Sequence, residues 1–279
     1  MSAAPGPGAD RAPLVVVHPD AAVLAQAAAA RLLTRLLDAQ SLRAPVHAVL
    51  TGGTVGIRTL AEVAASPLRD AVDWTGVHLW WGDERFLPDG DPDRNATQAR
   101  EALVDSLVAD SGLPAAHVHE MPARGSITDG RTITTPEEAA TAYAAELARH
   151  AGPDTDHGRA DDGGDAASAP LRVPRFDVLL LGMGPDGHVA SLFPGHAALA
   201  ADGATVGVHG SPKPPPERVS LTFGAIARAR EVWVVAAGAE KAEQAAAALA
   251  DGPVTDVPAA GARGTEHTLW LLDAAAAQG

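Results

Sequence analysis

Residues 179–188 read LLLGMGPDGH, an apolar run followed by a glycine-rich turn, which is the pattern of a central strand in an α/β sheet. The apolar run from Phe176 to Leu181 predicts a parallel strand that is buried on both faces of a sheet. A turn with three glycines follows, and glycine allows tight turning and close approach of a ligand. Open α/β sheets bind ligands at the carboxyl ends of their strands, so this turn predicts a reactive site. Asp186 and His188 supply a charge and a proton acceptor that works near neutral pH.

Apolar runs and helical patterns alternate along the rest of the chain. Strands are predicted at residues 14–18, 46–50, 77–81, 118–121, 205–208, 231–237 and 268–272, and helices at residues 20–40, 54–65, 95–108, 136–150 and 239–250. We interpret the first strand as buried and place Thr54 and Asn95 at helix N-caps. This alternation predicts the α/β class, with a three-layer, Rossmann-like, mainly parallel sheet flanked by helices.

Three segments are predicted to lie outside that core. They are a disordered tail at residues 1–12, a disordered acidic insertion at about residues 152–170 and a short tail at residues 274–279. No linker separates two apolar cores, so residues 13–273 are predicted to form a single α/β domain.

The charge of the chain limits its partners. The 279 residues carry a formal net charge of -14, which argues against nucleic acid or a membrane surface. A local pocket of arginine and lysine can still bind an anionic small molecule. Because the chain has no cysteine, thiolate catalysis and Cys-ligated metals are excluded. No apolar run approaches the roughly 20 residues that span a bilayer, so we expect a cytoplasmic protein.

The segment Thr51-Gly52-Gly53-Thr54 joins a predicted strand to a predicted helix. Backbone N–H groups at a helix start, together with the hydroxyls, fit a phosphate; the alternative is an ordinary turn. The segment lacks the P-loop lysine, and residues 182–188 lack the helix-opening glycine of a dinucleotide fingerprint. Neither stretch is therefore a nucleotide motif.

Three cations at predicted strand ends or loops can donate charge-assisted hydrogen bonds to a phosphate. They are Arg85, Lys213 and Arg218. The alternative for each is a solvated surface cation, and only convergence in space distinguishes the two.

His188 can be a general base or a structural histidine, and its place after a glycine-rich strand end favours catalysis. Asp186 can cap the turn or orient a ligand, and Asp83 and Glu84 can be turn residues or carboxylates of the site. Other histidines lie near predicted strand edges: His18, His47, His78, His117 and His119. Their spacing is not that of metal ligands, so we interpret them as structural and predict no metal site.

At these residues the chain resembles the 6-phosphogluconolactonase family, within the wider glucosamine-6-phosphate isomerase/deaminase superfamily. The likeness is carried by residues 51–54, by residues 81–88 with Asn95, and by residues 181–195. Residues 211–222 are similar to the family's substrate-phosphate loop.

The resemblance also separates the two activities of the superfamily. Deaminases share the Asp-Gly-His core but continue with Ala-Phe-Asn-Glu-Pro, whose glutamate assists ring opening. Residues 190–194 read ASLFP here, without a glutamate, which favours the lactonase. Two departures from the family pattern remain: Val55-Gly56 replaces the usual Thr-Pro, and Arg94 stands where Ser is common.

The resemblance implies hydrolysis of 6-phospho-D-glucono-1,5-lactone to 6-phospho-D-gluconate, in the oxidative pentose phosphate pathway, with no metal and no cofactor. It implies that His188 takes the proton from water and that Asp186 orients His188 or a sugar hydroxyl. The substrate phosphate would be held by Gly52, Gly53, Thr54, Arg85, Lys213 and Arg218. N–H groups of residues 182–187, or Arg85, would stabilise the oxyanion.

Two other functions stay open. One is an isomerase or deaminase of aminosugar phosphates, which the missing glutamate disfavours. The other is a non-catalytic sugar-phosphate sensor, which would need a DNA-binding module that an acidic chain does not favour. The sequence leaves the oligomeric state open, and a monomer is compatible with it.

Overall fold

The computed structural model describes residues 12–152 and 171–279. Residues 1–11 and 153–170, which hold most of the predicted N-terminal tail and acidic insertion, lie outside the described residues. The strands are β1 Leu14–His18, β2 Val46–Leu50, β3 Val77–Trp81, β4 Asp83–Arg85, β5 Val118–His119, β6 Ile127–Thr128, β7 Arg131–Thr132, β8 Val178–Gly182, β9 Thr205–Val208, β10 Arg218–Leu221, β11 Glu231–Ala236 and β12 His267–Asp273. The α-helices are α1 Ala21–Gln40, α2 Gly53–Ala65, α3 Asn95–Ala99, α4 Asp105–Asp110, α5 Pro136–Arg149, α6 Phe223–Ile226 and α7 Ala242–Leu249.

A parallel sheet of seven strands runs through the described residues, in the order β1-β12-β11-β8-β2-β3-β5. This confirms the predicted α/β class and the mainly parallel sheet. The chain leaves β2 towards β3 but leaves β8 towards β11, so the strand order reverses between β2 and β8. Ligands of such sheets bind in the crevice at the reversal point.

Alternate side chains of the central strands enter two different cores. Leu179 and Leu181 of β8 belong to the core that includes residues of α5 and α7. Val178 and Leu180 belong to the core that includes residues of α1 and α2. Because all four side chains are fully buried, the strand reads as a continuous apolar run. Each such burial stabilises the fold by about 1.5–3 kcal/mol.

A small antiparallel sheet, β4-β10-β9, lies beside the main one. Of these three strands, only β9 was predicted. Strand β4 consists of three polar residues and therefore gives no apolar signal. A separate hairpin joins β6 to β7 through Asp129 and Gly130. Both residues have positive φ, of 50° and 75°, as a two-residue hairpin turn of type I′ requires.

The prediction that β1 is buried is wrong. Leu14 is 58 % exposed and Val17 is 51 % exposed, because β1 is an edge strand that pairs only with β12 among the described residues. An apolar run does not tell a central strand from an edge strand.

Both predicted helix N-caps are also wrong. Helix α2 has Gly52 as its N-cap rather than Thr54, and helix α3 has Arg94 rather than Asn95. In α3 the buried carboxylate of Glu84 does the work of a cap, accepting hydrogen bonds from the N–H groups of Asn95 and the next residue at 2.6 and 2.8 Å. The capping carboxylate comes from β4 rather than from the start of α3, so the sequence around the start of α3 did not indicate it.

The carboxyl-terminal end of the chain packs against the core. In residues 274–279, which we predicted as a tail, Ala276 is buried. None of the helices among residues 12–152 and 171–279 is long and apolar enough to cross a lipid bilayer.

Candidate active site

A cavity of about 350 Å³ opens where β2 and β8 end. Its lining includes the loop after β2, residues 51–54, and the glycine turn after β8. Thr51 Oγ1 accepts a hydrogen bond from the N–H of Gly182 at 2.9 Å, which ties the two strand ends together. The two segments that carried the sequence prediction therefore meet at the strand-order reversal.

His188 lines the cavity, and its Nδ1 lies 2.5 Å from Asp186 Oδ1. Lys213 Nζ donates to the same Asp186 oxygen at 3.2 Å. Burial opposes ionisation of Asp186, but the hydrogen bond with His188 and the nearby Lys213 ammonium outweigh it and hold the Asp186 pKa well below its usual range. An ionised carboxylate needs a donor, so Nδ1 carries the ring hydrogen and Nε2 keeps a lone pair.

The His188 ring fits only because residue 184 is glycine. A Cβ at Gly184 would lie 2.5 Å from Asp186 Oδ1 and closer still to His188 Nδ1. The turn is closed by the N–H of Gly184, which donates to the His188 carbonyl at 2.9 Å. Gly187 has φ of 79°, in the left-handed region that favours glycine. The glycines of this turn thus shape the position of the imidazole.

The amino-terminal end of α2 faces the cavity through the residues 51–54 loop. Its N-cap, Gly52, makes no side-chain cap hydrogen bond, so the first N–H groups of the helix remain available to an anion. A Cβ at Gly52 would overlap the side-chain amide of Asn95. Gly56 is equally confined, since a Cβ there would lie 2.7 Å from the Thr51 carbonyl oxygen. The Val55-Gly56 departure therefore fits a helix that packs tightly on its strand end.

Arg85 is fixed at the cavity by a network of side chains. Its Nη1 donates to Asn95 Oδ1 at 2.6 Å and to the Asp93 carbonyl at 3.0 Å. Asn95 Nδ2 in turn donates to the Asp83 carbonyl at 2.9 Å, and Ser191 Oγ donates to Asp83 Oδ2 at 2.7 Å. The network connects the residues 81–88 segment to the segment that contains His188.

Glu84 and Arg94 are buried outside the cavity lining. Burial raises the pKa of Glu84 to about 7, against the opposing charge of Arg94, whose Nη2 lies 3.7 Å from Glu84 Oε2. Arg94 also donates to the carbonyls of Leu87 and Met121 at 3.1 and 2.7 Å. Arg94 therefore anchors the loop around α3, and Glu84 is a capping residue rather than a carboxylate of the site.

Arg218 braces the proline-rich loop that carries Lys213. Its guanidinium donates to the carbonyls of Lys213, Pro214 and Pro215 at 3.0 to 3.2 Å. The guanidinium also lies over the Phe193 ring, 5.7 Å from the centroid. The Nε and Nη2 groups of Arg218 therefore hold this loop in place.

The cavity brings together the predicted site residues, with Asp186 behind His188. The predicted site residues among its lining are Gly52, Gly53, Thr54, Arg85, His188, Lys213 and Arg218. Sequence reasoning missed Lys241, which lines the cavity from the 3-10 turn Ala239–Lys241 after β11. Burial lowers the Lys241 pKa, and the charge of Lys213 adds to this. The sequence could have indicated Lys241 as a site residue, because its turn also follows the carboxyl end of a central strand.

Four of the five histidines that we interpreted as structural lie close together in space, which their spacing along the chain did not indicate. His47, His78, His117 and His119 lie together with His150 near the amino ends of β2, β3 and β5. Burial, followed by the charges of the neighbouring histidines, lowers the pKa of His47 to about 3. The cluster is separate from the cavity that His188 lines.

Comparison with known proteins gives one family. Residues 19–270 match the family model described as glucosamine-6-phosphate isomerases/6-phosphogluconolactonase. The chain is 53% identical over 266 residues to a 6-phosphogluconolactonase of Streptomyces coelicolor, covering 95% of this chain and 94% of the relative. It is 42% identical over 264 residues to a 6-phosphogluconolactonase of Mycobacterium tuberculosis, covering 94% of this chain and 96% of the relative.

Solved structures give the same fold. The 6-phosphogluconolactonase from Trypanosoma brucei is similar with a TM-score of 0.76 and 28% identity, over 95% of this chain and 98% of that one. A monomeric glucosamine-6-phosphate deaminase shares the fold with a TM-score of 0.65 at 18% identity, over 95% of this chain and 98% of that one. The fold alone does not separate the two activities, whereas the sequence identity favours the lactonases.

Proposed function

Because the chain belongs to the glucosamine-6-phosphate isomerase/6-phosphogluconolactonase family, we propose that it hydrolyses 6-phospho-D-glucono-1,5-lactone to 6-phospho-D-gluconate in the cavity between β2 and β8. The two bacterial relatives with this activity in their names each match more than nine tenths of the chain. The absence of the deaminase glutamate from residues 190–194 supports the same reading.

The pairing of His188 with Asp186 carries the proposal. The carboxylate holds the ring hydrogen on Nδ1, so Nε2 is left as the base of a ring that lines the cavity. Lys213 compensates the charge of Asp186, which keeps the pair ordered without using Nε2. This arrangement supports general-base activation of water.

The proposed hydrolysis has two steps, the attack of water and the opening of the lactone ring. His188 Nε2 takes one proton from water while the water oxygen bonds to the lactone carbonyl carbon, and a tetrahedral oxyanion forms. The oxyanion collapses, the bond from carbon to the ring oxygen breaks, and His188 returns the proton to that oxygen. The product is a carboxylic acid, which ionises in water, with a free hydroxyl at the former ring position.

Arg85 is the better candidate for stabilising the oxyanion. The N–H groups of Gly182, Gly184 and Gly187 already donate to protein oxygens at 2.9 to 3.0 Å. Arg85 uses Nη1 for its anchoring contacts, and the Nε and Nη2 groups of its guanidinium make no hydrogen bond with the described residues. A guanidinium held in this way supplies a fixed positive charge where negative charge develops.

The phosphate is assigned to the start of α2 and the cations around it. The free N–H groups of the residues 51–54 loop would bind its oxygens, with Lys213 and Lys241 adding charge. Four cations line the cavity of a protein whose net charge is -14, which gives this anionic substrate a local favourable field. Anchoring the phosphate would hold the carbonyl against the activated water.

The test is lactone hydrolysis measured above the spontaneous rate, with the lactone generated in situ. His188→Ala should lose the acceleration, and His267→Ala, which changes an exposed histidine at the start of β12, should keep it. Acceleration that survives His188→Ala would remove this residue as the base. If folded wild-type protein gives no acceleration, the lactonase assignment fails; ammonia release from glucosamine 6-phosphate and binding without turnover then test the other two functions.

A further inference from the structure

A cluster of five histidines, the imidazole cluster, lies at the sheet edge away from the cavity. It consists of His47, His78, His117, His119 and His150. His47, His78 and His119 are each the second residue of a strand, in the adjacent parallel strands β2, β3 and β5. Helix α5 ends beside them, with His150 as its C-cap. Parallel pairing places His47 opposite His78 and His119 opposite Trp80, so the three rings lie on neighbouring strands.

Three of the rings are close enough to share one ion. One ligand nitrogen from each of His78, His119 and His150 lies within 4.8 Å of the other two. His78 Nδ1 and His119 Nε2 face each other at 2.8 Å, and the His150 ring stands across the His119 ring, 4.5 Å away between centroids. Two imidazoles at 2.8 Å share a hydrogen, so at least one of the facing nitrogens has a lone pair.

The surroundings orient these rings as in a metal site. Glu146 Oε1 lies 2.8 Å from His119 Nδ1, which places the ring hydrogen on that nitrogen and the lone pair on Nε2. A carboxylate behind a ligating histidine is the usual support of such ligands. Trp80 stacks on His119 at 3.8 Å between ring centroids and fixes the plane of its ring.

We propose that His78, His119 and His150 bind one divalent transition-metal ion of the zinc type, with Glu146 as the positioning residue for His119. Zinc bonds imidazole nitrogen at about 2.0–2.1 Å in tetrahedral sites, so the facing nitrogens must separate to about 3.3 Å. His78 moves its hydrogen from Nδ1 to Nε2, and the ion replaces the hydrogen that the two rings share. A water completes the coordination. The end of α5 favours a cation, because the helix dipole is negative there.

The proposed ion would fasten α5 to the edge of the sheet, since it joins β3 and β5 to the last turn of that helix. The site is independent of the lactonase chemistry, because β2 and β3 separate the cluster at their amino ends from the cavity at their carboxyl ends. The proposed function therefore does not depend on it, and the ion is assigned a structural role.

The test measures zinc binding by the untagged, full-length chain after treatment with EDTA and removal of the chelator. Zinc is titrated in competition with a chromophoric chelator, and Co²⁺ is added separately to record its visible absorption. Four variants are compared with wild type, of which Glu146→Gln changes the positioning residue and the other three change histidines. His150→Gln removes a ligand on the partly exposed helix end, His267→Gln changes a histidine outside the cluster, and His188→Ala removes the imidazole of the cavity.

We expect wild type, H267Q and H188A to bind one equivalent of zinc and to give the intense Co²⁺ spectrum of a low-coordinate site. We expect H150Q to bind zinc at least about tenfold more weakly, and Glu146→Gln to weaken binding by about 10–100-fold. At the same zinc concentration, the unfolding temperature should rise more in wild type than in H150Q. One equivalent bound equally well by H150Q would overturn the proposal, as would loss in H188A alone or no stoichiometric binding by wild type.

Discussion

Replacing Gly184 with alanine tests whether the Asp186–His188 pair sets the position of the base. The new Cβ would lie 2.5 Å from Asp186 Oδ1 and closer still to His188 Nδ1. Carbon makes its best nonbonded contacts at about 3.5 Å, so the carboxylate and the ring must separate from residue 184 by about 1 Å or more. Both sit in the turn that Gly184 closes, so this shift breaks their 2.5 Å hydrogen bond.

The loss of catalytic rate expected in G184A can be estimated from the contacts that the new methyl group disrupts. A hydrogen bond to a charged group contributes about 1.5–3 kcal/mol, or roughly 10- to 150-fold in rate. A catalytic group that is misplaced by 1 Å can cost about 100-fold on its own. We therefore expect kcat for lactone hydrolysis to fall by about 100-fold or more in G184A. KM should change by less than about threefold, because the start of α2 and its anion contacts are untouched.

Gly182→Ala is the matched control, because it adds the same methyl group to the same strand end. A Cβ at Gly182 would have its nearest neighbours at 3.6 and 3.7 Å, which is ordinary contact. We expect G182A to keep kcat within about threefold of wild type. The assay is the enzymatic rate above spontaneous lactone opening, with circular dichroism and thermal melting to show that both variants fold. A folded G184A with wild-type kcat would refute the role assigned to the Asp186–His188 pair.

Three further outcomes follow from the same contacts. Arg218→Lys loses part of the brace on the Lys213 loop, so steady-state kinetics should show KM raised by about tenfold, and an unchanged KM would contradict the bracing role. Gly52→Ala drives a methyl group into Asn95 and releases its contact with Arg85, so kcat/KM should fall by about tenfold or more; full activity would count against that network. Burial lowers the folded-state pKa of His47 to about 3, below an unfolded value of 6.5. The unfolded chain therefore binds the extra proton between these values, and stability is lost as pH falls below 6.5. In EDTA, denaturant titrations of His47→Gln should show this pH slope reduced by about 1.4 kcal/mol per pH unit; an unchanged slope would mean that His47 is not held neutral.

The elements that the sequence predicted well are those whose signal is local. The apolar run of β8 and the glycine turn after it were both predicted, because a strand buried on two faces has apolar residues at successive positions. The prediction for α5 was equally close, since Pro136 and two acids open the helix within one turn. Most of the site residues were predicted as well, because many residues that line the cavity lie directly after such strands.

The elements that were missed depend on partners elsewhere in the chain. Strand β4 exists because β10, more than 130 residues later, pairs with Asp83, Glu84 and Arg85. Helix α3 starts where it does because Glu84 reaches its N–H groups from that strand. Neither contact leaves a pattern in the nearby residues, so neither could be read from them.

The α/β class, the positions of the main strands along the chain and the two loops that line the cavity could all be predicted from the sequence. These depend on side-chain periodicity and on glycine, which act within a few residues. The contacts of Lys213 with Asp186, of Arg218 with the proline-rich loop and of Lys241 with the cavity are seen in the folded chain alone. The folded chain alone also brings together histidines from three strands and the end of one helix. Such contacts depend on strand order and register, which are fixed by how the whole chain buries its apolar surface rather than by any short stretch of it.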